Sequence, residues 1–338
     1  MATKQKILVT GGLGYIGSHT VVVLQQNGYE VVIVDNLSNS GVDFLDRITC
    51  ITGIRPEFEK FDLTDKSSME QFFDHYAIDG LIHFAAFKAV GESVQNPLVY
   101  YHNNLTSLIY LLEVFQERGL DNFVFSSSCT VYGQADELPI KETDPIKSAE
   151  SPYGKTKQMS EEILKDYVSA YNKKVVSLRY FNPIGAHPSA RIGECPLGVP
   201  KNLVPFITQT AIGKRKELLI FGGDYLTSDG TAIRDYTYVC DLAQAHMLAL
   251  KRILEDRNET GFEVFNLGTG RGNSVLEVLK TFQEVSGVKL KSRIVERRKG
   301  DIMVAYADTQ LAREALQWQA DASLSEALHT AWLWEKQL

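Results

Sequence analysis

Short apolar runs alternate with stretches of helical periodicity through the first half of the chain. Ile7-Leu8-Val9, Glu30 to Val34, Phe58 to Phe61, Gly80 to Phe84, Asn122 to Ser126 and Val175 to Tyr180 read as strands. Between them, His19 to Gln26, Lys66 to His75, Val99 to Glu117 and Ser151 to Asn172 have apolar positions spaced to cover one face of a helix. Strands alternating with crossover helices predict an α/β architecture, a doubly wound parallel sheet with helices on both faces. Past Tyr180 the rhythm breaks into a Pro- and Gly-containing stretch, and helical patterns return at Asp241 to Leu254 and Asn273 to Val285. The segment Gly222 to Gly230 reads as a surface hairpin or loop. Two domains are expected, residues 1–180 and a smaller α/β domain over 181–338, with some crossing of the chain between them.

Composition narrows the class. A chain of 338 residues, 44% hydrophobic and 23% charged, has ordinary globular values and can bury a large core. Its net charge of −7 argues against nucleic acid as a partner, which would need a basic face to displace counterions. Cys50, Cys129, Cys195 and Cys240 are widely spaced and form no CxxC pair, so buried, reduced thiols are expected rather than a zinc site or a disulfide framework. The seven histidines show no metal-ligand spacing, and His19 and His83 fall in predicted core elements, so no metal is expected. With no long apolar run and no cleavable signal, the expectation is a cytoplasmic protein without a membrane partner.

Two motifs carry chemistry. Thr10-Gly11-Gly12-Leu13-Gly14-Tyr15-Ile16-Gly17 follows the first strand and opens a helix, the arrangement that holds a pyrophosphate on backbone N–H groups and a helix dipole. Asp35 ends the second strand about 20 residues on, where a carboxylate accepts hydrogen bonds from ribose hydroxyls and repels a 2′-phosphate. No arginine follows it closely, and Asn36, Asn39 and Ser40 are uncharged, so NAD is preferred to NADP. The second motif is Tyr153-Gly154-Lys155-Thr156-Lys157 with Ser128 upstream at a strand end. A four-residue spacing puts Tyr153 and Lys157 on one helical face. An ammonium about 4 Å from a phenol favours the phenolate by about 4 kcal/mol at an effective dielectric of 20, before desolvation opposes it. Ser128 can then share the proton of a substrate hydroxyl.

The glycine turn, the strand-end serine and the YxxxK sequence together resemble the extended short-chain dehydrogenase/reductase family. Within it, Ala89 to Val94, Tyr101 to Asn104, Arg179-Tyr180-Phe181-Asn182-Pro183, Asn202-Leu203, Asp229-Gly230-Thr231 and Arg234-Asp235-Tyr236 look like the UDP-galactose 4-epimerases over nearly the whole chain. The resemblance implies a Rossmann-type first domain carrying the catalytic residues, a UDP-sugar-binding second domain, a UDP-hexose substrate and reversible inversion at its C4 through a 4-keto sugar. It assigns catalysis to Tyr153, Lys157 and Ser128. Gly11, Gly14, Tyr15, Ile16, Gly17, Asp35, Asn36, Asn39, Ser40, Asp62, Leu63, Phe84, Lys88, Asn103, Tyr153, Lys157 and Tyr180 fall where it contacts NAD. Ser128, Tyr153, Phe181, Asn182, Asn202, Leu203, Phe221, Arg234, Tyr236, Arg298, Asp301 and Ala305 fall where it holds substrate, with Arg234 and Arg298 suited to the pyrophosphate. Ala305 stands where several relatives carry a bulky tyrosine; its small side chain implies room for an N-acetyl group, whereas a slip of one residue would put Tyr306 there. Helices over Val99 to Glu117 and Ser151 to Asn172 resemble a dimer interface, so a homodimer is implied. Two rival readings are a nucleotide-sugar 4,6-dehydratase, which needs an acid/base carboxylate pair after the serine where this chain has Cys129-Thr130, and a non-catalytic NAD-sensing protein, which has no use for a tuned phenol.

Overall fold

The computed structural model describes residues 4–298 and 301–338. In chain order its first half runs β1 (Lys6–Thr10), α1 (Tyr15–Gln26), β2 (Glu30–Val34), α2 (Phe44–Thr52), β3 (Glu57–Glu59), α3 (Lys66–His75), β4 (Gly80–His83), α4 (Val90–Gln95), α5 (Pro97–Glu117), β5 (Asn122–Ser126), α6 (Pro152–Tyr171) and β6 (Lys174–Tyr180). There follow β7 (Asn182–Ile184), α7 (Leu203–Ala211), β8 (Leu218–Phe221), β9 (Ile233–Arg234), β10 (Tyr236–Tyr238), α8 (Val239–Leu254), β11 (Phe262–Leu267), β12 (Asn273–Ser274), α9 (Val275–Ser286), β13 (Ser292–Val295), β14 (Val304–Ala305) and α10 (Leu324–Glu335).

The chain forms two compact units. The first comprises 1–133, 145–179 and 243–265, and the second 134–144, 180–242 and 266–338. A single break at residue 180 therefore omits two excursions. They exist because β11, far along the chain, closes the edge of the first unit's sheet, and because the residues around Ile140 pair as a strand would with Ala307.

The sheet has seven strands in the order β11-β6-β5-β4-β1-β2-β3, one more than the six expected. The order reverses between β1 and β4, which lie side by side and parallel, Ile7 opposite Gly80 and Thr10 opposite His83. Such a reversal leaves a crevice at the carboxyl ends of the strands, where ligands of open α/β sheets bind. One face is covered by α3, α5 and α6, with Leu8, Val32, Leu81, Phe123 and Val175 packed against Met69, Phe72, Leu111, Phe115 and Leu164. Strands buried on both faces are apolar almost throughout, which is why they read so plainly as runs.

The second unit is built from small sheets. β7 pairs with β10 in parallel, β12 and β14 flank β9, and β8 pairs with β13. Capping boxes at Ser274 with Glu277 and at Ser323 with Glu326 start α9 and α10, which pack together with the Phe282 ring edge-on to Trp332. The expected loop from Gly222 to Gly230 is present as bends and turns. The cysteines depart from the expected burial: Cys50 and Cys195 are exposed and Cys129 and Cys240 half-buried, none of them in a disulfide. Cys50 lies on the outer face of α2 and Cys195 in an irregular loop, places that spacing alone does not distinguish from core.

Candidate active site

The glycine turn sits at the crevice. Gly11 has φ +70°, and a side chain there would meet the backbone nitrogen of Ala85, just after β4, at 2.8 Å. At Gly17 a Cβ would lie 2.3 Å from the Gly11 carbonyl oxygen, so the turn and the first coil of α1 fit only because both residues lack one. α1 starts at Gly14 with no side-chain cap and no acidic residue in its first turn. Its N-terminal positive potential is thus left for an external anion. Tyr15 and Ile16 open this helix.

Asp35, 8% exposed, lies just past the end of β2. Its Oδ1 accepts from the Leu37 backbone N–H and the Ser40 hydroxyl, both at 2.9 Å, and Oδ2 from the Leu13 N–H at 3.2 Å. The carboxylate is tethered to the glycine turn and retains lone pairs for ribose hydroxyls. Asn36 donates to Asp62 Oδ2 at 2.8 Å, and Thr64 donates to Asp62 Oδ1 through its N–H and hydroxyl. Burial pushes the Asp62 carboxyl up, but these hydrogen bonds hold it below its ordinary value. Leu63 is buried beside it. Phe84 follows β4 and packs on His246, 4.6 Å between ring centroids. The Lys88 ammonium, on an exposed residue, lies 5.9 Å from the centroid of the Tyr15 ring. Asn103 donates to Asn104 Oδ1. Asn39 lies in the bend after Asp35, and Tyr180 ends β6.

Of the residues expected to be catalytic, Ser128 lies between β5 and the short 3-10 turn Cys129–Tyr132, and Tyr153 and Lys157 lie on α6. Ser128 caps the 3-10 turn, its hydroxyl accepting from the Thr130 N–H at 3.3 Å. Ser151 caps α6 through the Gly154 N–H, and Pro152 occupies the first turn, where its missing N–H costs nothing. That cap places Tyr153 at the start of the helix, 7% exposed. Lys157, one turn on and 5% exposed, donates from Nζ to the carbonyl oxygen of Ser126 at 2.7 Å, with the Phe125 ring 4.6 Å from the ammonium. Burial pulls the amine down to about 8, opposed by the charge of Glu161. It is still largely an ammonium at neutral pH. His83, bonded to the Thr10 hydroxyl at 2.7 Å, is pushed down to about 3 by burial and by Lys157, and stays neutral.

Sequence reasoning missed the polar supports of this region. Asn104 donates to the Phe87 carbonyl and the Thr156 hydroxyl, and its Oδ1 accepts from the Phe87 N–H, tying α5 and α6 to the loop after β4. Glu161 and Arg179 form a buried ion pair behind Lys157. A polar residue at a core position is the one signal that could have marked them.

In the second unit the predicted substrate residues fall into small groups. Arg234 donates to Asp301 Oδ1 at 2.5 Å and to the carbonyls of Ile233 and Met303. Arg298 stacks on Phe221, 4.1 Å from guanidinium to ring centroid, whereas Arg297 stacks on Tyr225 and pairs with Asp224. Lys299 and Gly300 lie outside the described residues. Asn182 on β7 lies opposite Tyr236 on β10, and Phe181 and Tyr236 are buried. Asn202 precedes α7, which begins at Leu203, and donates to Glu194 at 2.6 Å. Ala305 is buried on β14 opposite Arg234. Asp235 was not singled out: fully buried, it accepts from the N–H groups of Thr269, Gly270 and Ala307 and from the Thr269 hydroxyl, and so braces the strands that carry Arg234 and Ala305.

Comparison with known proteins identifies the family. The model of the NAD dependent epimerase/dehydratase family matches residues 7–268. The chain is 50% identical to the UDP-glucose 4-epimerase of Bacillus subtilis, over 97% of this chain and 96% of that one. Among solved structures, the UDP-glucose-4-epimerase from Stenotrophomonas maltophila, with bound NAD and formylated UDP-arabinopyranose, superposes with TM-score 0.95 at 46% identity and 98% coverage of both chains. That from Bifidobacterium longum, in complex with NAD+ and UDP, also gives 0.95, at 42% identity and 98% coverage of both. With the seven-stranded sheet and the glycine turn at its switch point, these matches establish that the chain belongs to the NAD dependent epimerase/dehydratase family.

Proposed function

We infer that this protein inverts C4 of the hexose of a UDP-sugar, interconverting UDP-galactose and UDP-glucose with NAD as cofactor. The observation that carries the reading is the buried Lys157 ammonium, held on the Ser126 carbonyl one helical turn from Tyr153 and beside the Ser128 turn. The residues present fit a dinucleotide: two glycines whose side chains would clash, an uncapped helix N-terminus and a tethered carboxylate at Asp35. Gly11, Gly14, Tyr15, Ile16 and Gly17 would hold its pyrophosphate, Asp35, Asn36, Asn39 and Ser40 the adenosine ribose, and Asp62, Leu63, Phe84, Lys88, Asn103 and Tyr180 the remaining contacts. NAD, when bound, supplies a hydride acceptor and donor at C4.

The chain's own residues move the proton. Tyr153 takes it from the C4 hydroxyl, Ser128 bridges the same oxygen, and the positive charge of Lys157 on the same helical face favours the phenolate over the phenol. Return of the proton from Tyr153 completes the cycle. Inversion requires the sugar to turn over while the nucleotide stays fixed. Strong contacts therefore belong on UDP: cationic Arg234 and Arg298 for the pyrophosphate, with Phe221, Asp301, Asn182, Asn202 and Leu203 around the nucleotide. Weak ones belong on the hexose, near Phe181, Tyr236 and Ala305. The small Ala305 supports acceptance of UDP-N-acetylhexosamines as well. The neighbouring Tyr306 ring lies close to Gly272. A dehydratase reading finds no support, since Cys129 and Thr130 supply no carboxylate after Ser128.

The test is to incubate the purified protein with UDP-galactose and, separately, with UDP-GlcNAc, adding no cofactor, and to resolve products by NMR. The expected products are UDP-glucose and UDP-GalNAc. Absence of both, even after NAD is added, overturns the reading; UDP-glucose alone removes only the N-acetyl part. A homodimer completes the proposal, supported by the exposed Val94, Leu98 and Val99 along α4 and the start of α5.

A further inference from the structure

The reaction chemistry above leaves the buried Glu161–Arg179 pair unused. Glu161 and Arg179 are 1% and 3% exposed, and Arg179 grips the carboxylate with two prongs, Nη2 to Oε2 at 2.5 Å and Nε to Oε1 at 3.0 Å. Oε1 also accepts from the hydroxyls of Ser127 at 2.6 Å and Ser177 at 3.0 Å. Nη1 of Arg179 donates to the Tyr132 hydroxyl at 2.9 Å, and the guanidinium lies 4.8 Å from the centre of that ring. Burial alone would push the Glu161 carboxyl up, but Arg179 and the two serines hold it below its ordinary value, so it is an anion.

Burying two charges costs more than their attraction commonly returns, and a packed apolar pair serves stability as well. What distinguishes this pair is what it joins. Ser127 precedes Ser128, and Tyr132 closes the turn that Ser128 opens. Tyr153, Lys157 and Glu161 follow one another at four-residue steps along one face of α6. Ser177 and Arg179 belong to β6.

We propose that the Glu161–Arg179 pair is a positioning device for the reaction, holding the Ser128 turn, α6 and β6 in one register so that serine, phenol and amine converge on a single substrate oxygen. It rests on the epimerase reading, which the cofactor-free assay tests on the parent protein alone. The carboxylate acts on Lys157 through charge as well as geometry. The charged and titratable groups that act on that amine are Glu161, one turn on along its own helix, and neutral His83 at the end of β4; Glu161 is the group that favours the ammonium.

The test follows kcat, KM and bound NAD of full-length variants on UDP-galactose. Glu161→Gln keeps the shape and an acceptor but removes the charge. It is expected to lower kcat about 30-fold with KM and NAD content within about twofold, and to move the high-pH limb of kcat to lower pH, because Lys157 loses its proton more readily. Arg179 left alone in the interior can unfold that variant, so Glu161→Gln/Arg179→Met is made alongside. The double variant is expected to recover the parent melting temperature but not kcat. Ser127→Ala, which removes one donor and no charge, is expected to lower kcat several-fold at nearly unchanged melting temperature. The proposal is overturned if kcat of the double variant returns together with its stability, or if Glu161→Gln and Ser127→Ala both turn over at the parent rate with the parent pH profile.

Discussion

Lys157 shows how a reactive residue opposes the fold that carries it. Its amine is held down to about 8 by burial against an ordinary 10.5, a gap worth about 3 kcal/mol of cost for keeping the charge inside. Between those two values the unfolded chain binds a proton that the folded one does not, so stability rises with pH through this window, and below about 8 the full cost is present. Lys157→Met should therefore lower epimerase turnover by about 100-fold or more while leaving the melting temperature of the cofactor-free protein at pH 7 unchanged or higher. A variant that lost activity and stability together would show the ammonium to be a net structural contributor. The Asp35 carboxylate, by contrast, is tethered by three donors, the Leu13 and Leu37 N–H groups and the Ser40 hydroxyl.

Among the elements, α1 is the one whose geometry is set most tightly by sequence. Adding a methyl group at Gly17 brings it against the Gly11 carbonyl, so Gly17→Ala should cost about 1–3 kcal/mol and strip the purified protein of NAD, measured by absorbance and thermal melting. An alanine variant that kept both would mean the turn can shift without loss. This turn, Asp35 and the Tyr153/Lys157 spacing were legible in the sequence because each is local: backbone conformation and side-chain chemistry meet within a few residues. The start of α1 was less so. The periodicity marks His19, while the helix begins at Tyr15, because Gly17 and the polar Ser18 blur the apolar stripe in its first turn. β11 escaped notice for a different reason: its place at the sheet edge depends on a partner over 80 residues earlier. The buried roles of Glu161, Arg179, Asp235 and Asn104 escaped, the last three even though they fall in quoted motifs, because a polar residue looks alike in sequence whether it faces water or a buried partner.

At the scale of the whole molecule, the first question is association. Leu98 is 79% exposed, with Val94 at 60% and Val99 at 52% nearby, a concentration of apolar surface that a lone chain rarely leaves in water. Leu98→Asp should shift the protein from dimer to monomer in analytical ultracentrifugation. A parent that sediments as a monomer at micromolar concentration would remove the dimer from the proposal. The second question is divisibility, and β11 answers it. A chain ending at residue 180 would keep every group proposed to touch NAD yet leave β6, with Val175, Val176 and Leu178 wholly enclosed in the intact chain, as a bare apolar rim. Such a rim invites edge-to-edge stacking between copies. The two units are thus stitched together by the thread itself, and neither corresponds to one uninterrupted stretch of it.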